Sequence, residues 1–485
     1  MEWRLEAKKL KRYPHFDSDI SAADAQTLAK NPESVASHSF YPFMRYIERW
    51  NKWSEKGHKG KPKERPIRYA ARRDSYILSY YRHLLSVRYE SILEKFDLSD
   101  AVLAYRRIPD EQSGRGKCNI HFARDAFQNI INLGQCSVVA LDISSYFESL
   151  DHALLKAKWE MLLGVNRLPN DHHHVYKSIT KYAFVDKLEV YERLGFFGDK
   201  IDPKSGRMIK GFLRSFKDIP RPQICSPSEF REKIAGNGTQ KSIIQRHDKN
   251  FGIPQGSPIS DLLANLYLID FDREMKAEAS RLGGYYSRYS DDILIILPGA
   301  ALDGEAAMRF AQQCIGKFGD EIKIKDEKSY IYEFFSAVGG GQNFRRVLGN
   351  EGQGKNGLEY LGFRFDGKKV YIKDSTLSNL WRKVTRKAMK EAVVAAKRYP
   401  DKTSSEIRKL INFEKLVKEF GRVEDFEEKS DDVRSWTFWT YASRAQEVFG
   451  DLGKPISGQL RRHRAVISQK VNDALDRAVI RRDSS

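Results

Sequence analysis

Two uninterrupted apolar runs, each with carboxylates at one end, constrain this chain more than any other feature. The first occupies residues 137–143 and closes around Asp142, and the second occupies residues 292–297 and opens with Asp291 and Asp292. Continuous apolar runs of this length are typical of buried strands, and helical patterns flank both of them. The sequence therefore predicts a two-layer core of helices and strands.

Carboxylates at the ends of buried strands need a positive partner. An ionised carboxylate is costly to bury unless it is paired or binds a cation, and three of them facing one another repel. Mg²⁺ prefers a few carboxylates plus phosphate oxygens, and two such ions about 4 Å apart suit in-line attack of a hydroxyl on a phosphoryl group. Asp142, Asp291 and Asp292 therefore indicate a phosphoryl-transfer site. Taken alone, residues 290–292 are equally well explained as a polar hairpin turn.

A loop rich in glycine and proline lies between the two runs in the sequence. Residues 252–260 read GIPQGSPIS, and a helix is predicted after them, from 261 to about 279. The glycines and prolines fix a tight turn in which Gln255 and the backbone of Gly256 can approach a flat ligand such as a nucleobase. Such turns are common before helices, so the loop alone is a moderate signal.

The charge balance indicates a polyanionic partner. The 485 residues include 84 Lys and Arg against 65 Asp and Glu, a formal charge of +19, and 41% hydrophobic residues indicate a folded protein. No apolar run approaches the roughly 20 residues of a membrane span, and the polar start resembles no secretory signal. A cytoplasmic protein without membrane contact is expected. The four cysteines form no CxxC pair, which argues against a zinc knuckle or a disulfide framework.

The other patterns predict the secondary structure. Residues 1–100 are expected to be helical, with a flexible basic loop at 57–62, and residues 102–108 to be extended. Residues 189–250 are expected to form a largely irregular basic insertion. The pattern from 377 to 480 is helical again, with breaks at Pro400 and 453–455, and two further helices are predicted at 74–95 and 121–133.

Five short segments resemble the motifs of reverse transcriptases, in the family's order. Residues 141–147 (LDISSYF) resemble motif A, 252–260 motif B, 288–292 (RYSDD) the YxDD box of motif C, 324–329 (IKDEKS) motif D, and 358–363 (LEYLGF) motif E, the primer grip. The resemblance implies an α+β, right-hand polymerase fold: an N-terminal helical extension (1–60), fingers (61–140), a palm with an antiparallel sheet (141–375, including the insertion at 189–250) and a helical, RNA-binding thumb (376–485).

The resemblance also implies a metal site and a substrate. Two Mg²⁺ ions, for which Mn²⁺ can substitute, would be held by Asp142, Asp291, Asp292 and the Ile143 carbonyl. Phe147 falls where a bulky ring rejects a ribose 2′-hydroxyl, so deoxynucleoside triphosphates are the implied substrates. Lys328 either protonates the pyrophosphate leaving group as a general acid or is an ordinary surface lysine.

Two further sets of residues are carried over from the family's motifs. The implied nucleotide contacts are Arg106, Arg107, Lys117, Tyr146, Phe147, Gln255 and Gly256. The implied primer grip comprises Tyr360, Leu361 and Gly362.

Segments outside these motifs resemble the bacterial "unknown group" of reverse transcriptases, which includes antiphage defence enzymes. They include residues 11–17 (KRYPHFD) and 168–180. This resemblance implies a bacterial cytosolic enzyme that makes cDNA on an associated structured noncoding RNA, in some members as a homo-oligomer. Residues 172–174 (HHH) are expected in an exposed polar turn, not in a metal site.

Two function classes stay open at this point. The first is an RNA-directed DNA polymerase, and the alternative is an RNA-binding, maturase-like or structural protein with the same fold, related to group II intron or retron proteins. Three clustered carboxylates favour the first. Initiation is open as well: a template or RNA primer is one route, and a protein hydroxyl, such as those of Ser484 and Ser485, with a homopolymeric product is another.

Overall fold

Helices account for much of the chain. The computed structural model describes residues 2–53, 59–110, 114–202, 206–215, 218–237, 240–338, 340–349, 354–411, 420 and 437–484. The helices are α1 (Ala22–Lys30), α2 (Pro32–Ala36), α3 (Arg72–Lys95), α4 (Asn119–Leu133), α5 (His152–Leu163), α6 (Asn170–Thr180), α7 (Lys187–Arg193), α8 (Pro227–Glu229), α9 (Ser260–Tyr267), α10 (Ile269–Arg281), α11 (Ala301–Ile315), α12 (Asp374–Arg398), α13 (Ser404–Leu410), α14 (Phe438–Phe449), α15 (Lys454–Leu460) and α16 (His463–Asp483).

Strands are interspersed with these helices, which makes the chain α+β as predicted. The strands are β1 (Phe43–Trp53), β2 (Lys59–Tyr69), β3 (Cys136–Asp142), β4 (Ala183–Asp186), β5 (Phe197–Ile201), β6 (Met208–Phe212), β7 (Gln245–Arg246), β8 (Tyr285–Tyr289), β9 (Asp292–Pro298), β10 (Tyr330–Ser336), β11 (Gln342–Leu348), β12 (Leu358–Tyr360), β13 (Phe363–Phe365) and β14 (Val370–Ile372).

The chain divides into two compact units. The first is built from Met1–Arg106, Val139–Leu297 and Leu302–Tyr330, and the second from Arg107–Val138, Pro298–Ala301 and Ile331–Ser485. Both are discontinuous in sequence. The domain boundaries implied by the resemblance stay predictions.

The centre of the first unit is the sheet that contains the predicted apolar strands. Strands β8, β9 and β3 lie side by side in that order. Strands β8 and β9 form an antiparallel hairpin in which Tyr289 lies opposite Asp292. The apolar residues of β9 are fully buried, as a strand covered on both faces requires. The predicted buried strands at 137–143 and 292–297 are confirmed as β3 and β9. The helix predicted at 261–279 is instead two helices, α9 and α10, separated at Leu268.

The prediction that residues 1–100 are helical is wrong for β1 and β2. These strands form a long antiparallel hairpin, and β1 also pairs in parallel with β4. Opposite charges face each other across the hairpin, and Arg49 Nε lies 2.7 Å from Glu64 Oε1. The supposed loop at 57–62 is strand from Lys59 onwards, and its first two residues lie outside the described part. The helix predicted at 74–95 is confirmed as α3.

The segment at 189–250 is more ordered than predicted. It contains strands β5 and β6, which pair with each other, and a π-helix at Phe230–Gly236. Its apolar side chains share one core with Phe16, Met44 and Val185 from elsewhere in the first unit. The members from the segment itself are Val190, Tyr191, Phe196, Ile219, Ile224, Cys225, Ile234 and Ile243. The segment is therefore part of the packed body of that unit.

The second unit combines a small sheet with long helices. Strands β12, β13 and β14 form a three-stranded antiparallel sheet, and the ring of Phe365 on β13 stacks on Phe127 of α4 at 5.0 Å. Helices α12 and α16 pack through small and β-branched side chains such as Ala388 and Val471. The helical prediction beyond 377 is confirmed where the structure describes it. Helix α12 ends before Pro400 as predicted.

None of the helices in the described ranges combines the length and the apolarity that crossing a membrane requires.

Candidate active site

Asp142 lies at the end of β3, and its carboxylate is paired with a cation. Lys328 Nζ donates to Asp142 Oδ1, and the two side chains are 36% and 27% exposed. The next residue fixes the strand end, because Ile143 N donates to the carbonyl of Asp291 at 3.0 Å. The strand of motif A is thereby joined directly to the hairpin of motif C.

The β8–β9 hairpin owes its shape to a buried arginine. Arg288 is fully buried, and its guanidinium donates to the Asp272 carboxylate through Nε at 2.7 Å and Nη2 at 2.6 Å. Its third nitrogen, Nη1, donates to the Ser290 carbonyl at 3.0 Å. Ser290 has a left-handed φ of 60°, a conformation that needs such support in a residue with a side chain. The Ser290 hydroxyl also meets the hydroxyl of Tyr105 at 3.0 Å.

Asp142 and Asp291 lie close enough for their charges to interact. Burial raises the pKa of the Asp291 carboxyl, and the negative charge of Asp142 raises it further. The guanidinium of Arg65 acts in the opposite direction and lowers the same pKa. Two carboxylates that repel each other at one edge of a sheet are stabilised by a cation, as the sequence predicted.

Asp292 does not complete a group of three. It is exposed at the start of β9. Within the described ranges, no three His, Cys, Asp or Glu side chains are placed to hold a metal ion together. The structure therefore does not bring the three carboxylates together as one group, and the assignment of Asp292 as a metal ligand stays a prediction.

Asp142 and Asp291 nevertheless fit a hard divalent cation. Their donors are carboxylate oxygens, which Mg²⁺ prefers, and one of them already pairs with the ammonium group of Lys328. The nearby hydroxyl of Ser144 is buried without a hydrogen-bond partner among the described atoms. The Ile143 carbonyl stays a predicted ligand.

The loop of motif B is held against strand β2. Arg68 N donates to the Gln255 carbonyl at 2.8 Å, and Ile253 N donates to the Phe147 carbonyl at 2.8 Å. Gly256 has a φ of 108°, and a Cβ there would lie 2.8 Å from the carbonyl oxygen of Arg68. Only glycine fits that approach. The Ser257 hydroxyl in the same loop is buried without a partner in the described ranges.

The two aromatic residues of motif A have different environments. Tyr146 is 3% exposed, and its hydroxyl donates to the carbonyl of Ala264 in α9, so its side chain is a packing element and is not free to contact a nucleotide. Its predicted role as a nucleotide contact is not supported. Phe147 is half-buried, with its ring 5.8 Å from that of Tyr146. Its ring is accessible enough for the predicted steric filter.

Arg106 forms a structural ion pair. Its side chain is 5% exposed and grips Glu90 of α3, with Nη2 at 2.6 Å from Oε2. Its remaining nitrogen donates to the carbonyls of Ser99 and Val102. The predicted extended run at 102–108 is a series of turns with an isolated bridge from Val102 to Arg288. The prediction that Arg106 contacts a triphosphate is therefore wrong.

Two arginines of β2 belong to the site and were missed from the sequence. Arg65 lies near enough to Asp291 and Tyr105 for its charge to lower the pKa of both groups. Arg68 pairs with Glu148 at 3.2 Å and lies over the rings of Tyr182 and Phe184. The only signal in the sequence is the run of arginines at 65–73, which lies in the region expected to be helical.

The other predicted contacts belong to the second unit. Lys117 Nζ is paired with Asp125 at 2.9 Å, and Arg107 lies in the loop before α4. In the primer-grip segment, Leu361 and Gly362 both have positive φ, 45° and 92°. Asn119 Nδ2 donates to the Leu361 carbonyl at 3.0 Å, which holds that turn, while Tyr360 is buried. The structure thus places the three residues predicted to form the primer grip at one hydrogen-bonded turn.

The histidines at 172–174 lie in a helix, not in an exposed turn. They are part of α6, where Trp159 Nε1 donates to His172 Nδ1 at 3.2 Å. His174 Nε2 meets the carbonyl of His38 at 2.7 Å. These contacts anchor two of the three rings to neighbouring segments. The expectation that the histidines hold no metal stays a prediction.

Residues 213–365 match the family model described as reverse transcriptase (RNA-dependent DNA polymerase). The matched segment contains the motif B loop, the Asp291 hairpin, Lys328 and the primer-grip turn, and Asp142 precedes it. The match and the α+β architecture bear out the predicted right-hand polymerase fold. They support RNA-directed DNA polymerase as the class of the domain. No curated protein sequence matches the chain.

Solved telomerase structures resemble this chain with low sequence identity and low TM-scores. The apo telomerase of Candida tropicalis, truncated from its C-terminal domain, is 12% identical with a TM-score of 0.36, and the match covers 75% of this chain and 63% of that one. The telomerase of Candida albicans in complex with a TWJ fragment of telomeric RNA is 9% identical with a TM-score of 0.37, covering 95% and 67%. The chain thus spans less than two thirds of the length of the Candida tropicalis protein.

Proposed function

We propose that this protein is an RNA-directed DNA polymerase whose catalytic centre is formed by Asp142 and Asp291. The observation that carries the proposal is their placement on neighbouring strand ends, joined by the Ile143–Asp291 hydrogen bond and flanked by the motif B loop. A structural protein gains nothing from two mutually repelling carboxylates at one sheet edge. The matched reverse transcriptase segment supplies the reaction class.

Asp142 and Asp291 would hold the divalent cations, with Mg²⁺ as the expected ion and Mn²⁺ as a substitute. Bound there, the cations supply activation of the primer 3′-hydroxyl and neutralisation of the charge that develops on the phosphoryl group. The protein's own contribution is to fix the two carboxylates. The buried Arg288–Asp272 pair and the Ile143 hydrogen bond do this before any ligand binds.

Residues around the carboxylates would select and orient the nucleotide. The half-buried ring of Phe147 would exclude a ribose 2′-hydroxyl and so favour deoxynucleotides. The Gly256 backbone borders the nascent base pair, since no side chain intervenes there. Arg65, whose charge acts on Asp291, takes the role of phosphate ligand for which Arg106 is unsuited. Lys328 remains the proposed proton donor to pyrophosphate, which requires its ammonium group to leave Asp142.

The biological setting is also part of the proposal. We infer a bacterial, cytoplasmic enzyme of antiphage defence that copies an associated structured noncoding RNA into cDNA, with a homo-oligomer as the working form. Support comes from the sequence resemblance at residues 11–17 and 168–180 and from the formal charge of +19. A hydroxyl of the protein itself is the proposed primer where the product is homopolymeric.

A primer-extension assay tests the proposed activity. The wild type should extend an oligo(dT) primer on poly(rA) with dTTP and Mg²⁺, and Asp142→Asn and Asp291→Asn should each lower the rate by at least about a thousandfold. Asp320→Asn, which removes an exposed carboxylate of the same unit, is the matched control and should retain full rate. Equal rates for Asp291→Asn and Asp320→Asn would refute the assignment. A defence phenotype that survives Asp291→Asn would favour the RNA-binding alternative.

A further inference from the structure

A cavity in the first unit is built from segments that contribute nothing to the carboxylate site. It is formed by residues 10–12, residues 18–21, the first turns of α3 and the pair Arg221 and Pro222. Its volume is about 680 Å³, well inside the range of small-molecule sites in proteins. None of its lining residues lies in motifs A to E.

The lining of this cavity is strongly cationic. Lys11, Arg12, Arg72 and Arg221 line it against the single carboxylate of Asp19 among its described lining residues. Arg72 Nη1 donates to Asp19 at 2.9 Å, and Arg72 Nε lies 3.3 Å from the Asp17 carboxylate. The one lining carboxylate is therefore already used by Arg72. Lys11 and Arg12 add positive charge to the lining.

Lys11 and Arg12 make no ion pair within the part of the chain that the structure describes. Burial lowers the pKa of Lys11, and no carboxylate offsets that effect. The backbone is nevertheless fixed, since Lys11 N donates to the hydroxyl of Tyr76 in α3 at 2.8 Å. A half-buried ammonium group on a fixed backbone is stabilised when an anion binds beside it.

The lining of the cavity also includes apolar residues. Leu10, Ile20 and Pro222 contribute aliphatic surface beside the ring of Tyr76. Sulfate-sized anions need no such surface, whereas a nucleotide presents phosphates at one end and a flat, weakly polar base at the other. The combination of cations and apolar walls therefore selects a ligand with both parts.

We propose that this cavity binds the 5′-phosphates of a nucleotide, with Lys11 and Arg12 on the phosphates and Leu10, Ile20 and Pro222 against the nucleoside. The ligand is either a free nucleoside triphosphate or the triphosphorylated 5′ end of an RNA, since the recognised chemistry is the same. The site is separate from the polymerase centre and does not depend on the function proposed for it.

Equilibrium binding without divalent cations tests the proposal. Fluorescent ATP, a short RNA with a 5′-triphosphate and the same RNA with a 5′-hydroxyl are titrated with the full-length protein in EDTA. Binding of ATP identifies the free nucleotide as the ligand. The RNA end is identified if ATP does not bind and the RNA with a 5′-triphosphate binds more tightly than the RNA with a 5′-hydroxyl. Failure of ATP to bind and of the RNA to depend on its triphosphate would overturn the proposal.

Matched substitutions locate the binding. Lys11→Gln with Arg12→Gln should weaken binding by about tenfold or more. Lys8→Gln with Lys9→Gln removes the same charge from exposed, Glu6-paired lysines nearby and should leave the affinity unchanged. Equal losses in both pairs would mean that only the net charge matters, and an unchanged affinity for the first pair would place the ligand elsewhere. If the first pair fails to fold, Arg12→Gln alone, at an exposed side chain, must weaken binding.

Discussion

The guanidinium of Arg288 illustrates how single residues position this site. It is fully buried, it neutralises Asp272 and it holds the Ser290 carbonyl of the hairpin that carries Asp291. Tyr286 donates its hydroxyl to the same carboxylate at 2.6 Å, so several buried polar groups depend on one another. Arg288 touches no reacting atom in this account and acts as a positioning residue.

Breaking this pair should be costly for stability. We expect Arg288→Met to lower the unfolding free energy of the first unit by about 3–5 kcal/mol, because it leaves the Asp272 carboxylate buried without its cation. Urea unfolding followed by far-UV circular dichroism measures the effect. Glu278→Gln, which breaks an exposed pair with Arg281 on the same helix, is the control and should leave the midpoint nearly unchanged. Similar shifts in both variants would contradict the positioning role.

Gly256 makes a sharper prediction at the motif B loop. Gly256→Ala should reduce the rate of nucleotide incorporation by about tenfold, since the new Cβ would meet the Arg68 carbonyl and the backbone would be strained. Gly316→Ala places a Cβ in open space and serves as the control. Single-nucleotide incorporation kinetics measure both variants. An unaffected Gly256→Ala enzyme would mean that the loop does not border the nucleotide.

Phe147 and Tyr146 allow a paired test of the sugar filter. Phe147→Ala should lower the preference for deoxynucleotides over ribonucleotides by about tenfold or more, because it removes the ring that excludes a 2′-hydroxyl. Tyr146→Phe removes a buried hydrogen bond and should reduce stability without changing this preference. The ratio of kcat/KM for dTTP and UTP reports the preference. A change in the ratio for Tyr146→Phe alone would reverse the two assignments.

The residues of the site differed in how well the sequence revealed them. Asp142 and Asp291 were predictable because they stand at the ends of continuous apolar runs, where a carboxylate is costly unless it is paired or binds a cation. Arg106 was misassigned because its partner, Glu90, lies on a helix whose position relative to it depends on the fold. Arg65 was missed because its strand was expected to be a helix.

At the scale of elements, the hairpin of β1 and β2 shows most clearly which strands a sequence pattern can predict. Strands β3 and β9 were predictable because burial on both faces leaves a continuous apolar run. Strand β2 has no such run, and what stabilises it is pairing with β1, where Tyr46 lies opposite Ile67 and Glu48 opposite Arg65. Pairings of this kind are set by the partner strand, which a local periodicity does not reveal.

The N-terminal segment should respond to pH through His15. This histidine is fully buried, and burial lowers its pKa to about 4, with Arg72 adding to the effect and Asp17 opposing it. The folded state therefore binds the proton less readily than the unfolded state, so stability is lost as the pH falls below about 6.5. By pH 5 the loss should be about 2 kcal/mol.

A variant isolates this contribution. Phe16 N donates to His15 Nδ1 at 2.9 Å. His15→Asn keeps an acceptor for this hydrogen bond but removes the titratable ring. Urea midpoints at pH 7 and pH 5 should differ less for this variant than for the wild type. Equal pH dependence in the two proteins would show that His15 titrates normally.

At the scale of the whole molecule, charge and chemistry support the same function. The formal charge of +19 suits the sequence-independent contacts that a polymerase makes with the phosphates of its duplex, and it predicts RNA binding that weakens steeply with salt. The motif resemblance predicted the class of domain that the matched family model at residues 213–365 supports. The sequence did not reveal the cationic cavity, whose walls come from four separate segments.

The central claim is that Asp142 and Asp291 perform RNA-templated DNA synthesis, and it is tested most directly on the protein purified with its bound RNA. Mg²⁺ and labelled deoxynucleotides are added with and without ribonuclease pretreatment, and the product is sequenced. We predict DNA complementary to the bound RNA, lost after pretreatment and absent from Asp291→Asn. No DNA from wild-type protein whose bound RNA is intact, or equal synthesis by Asp291→Asn, would contradict the account.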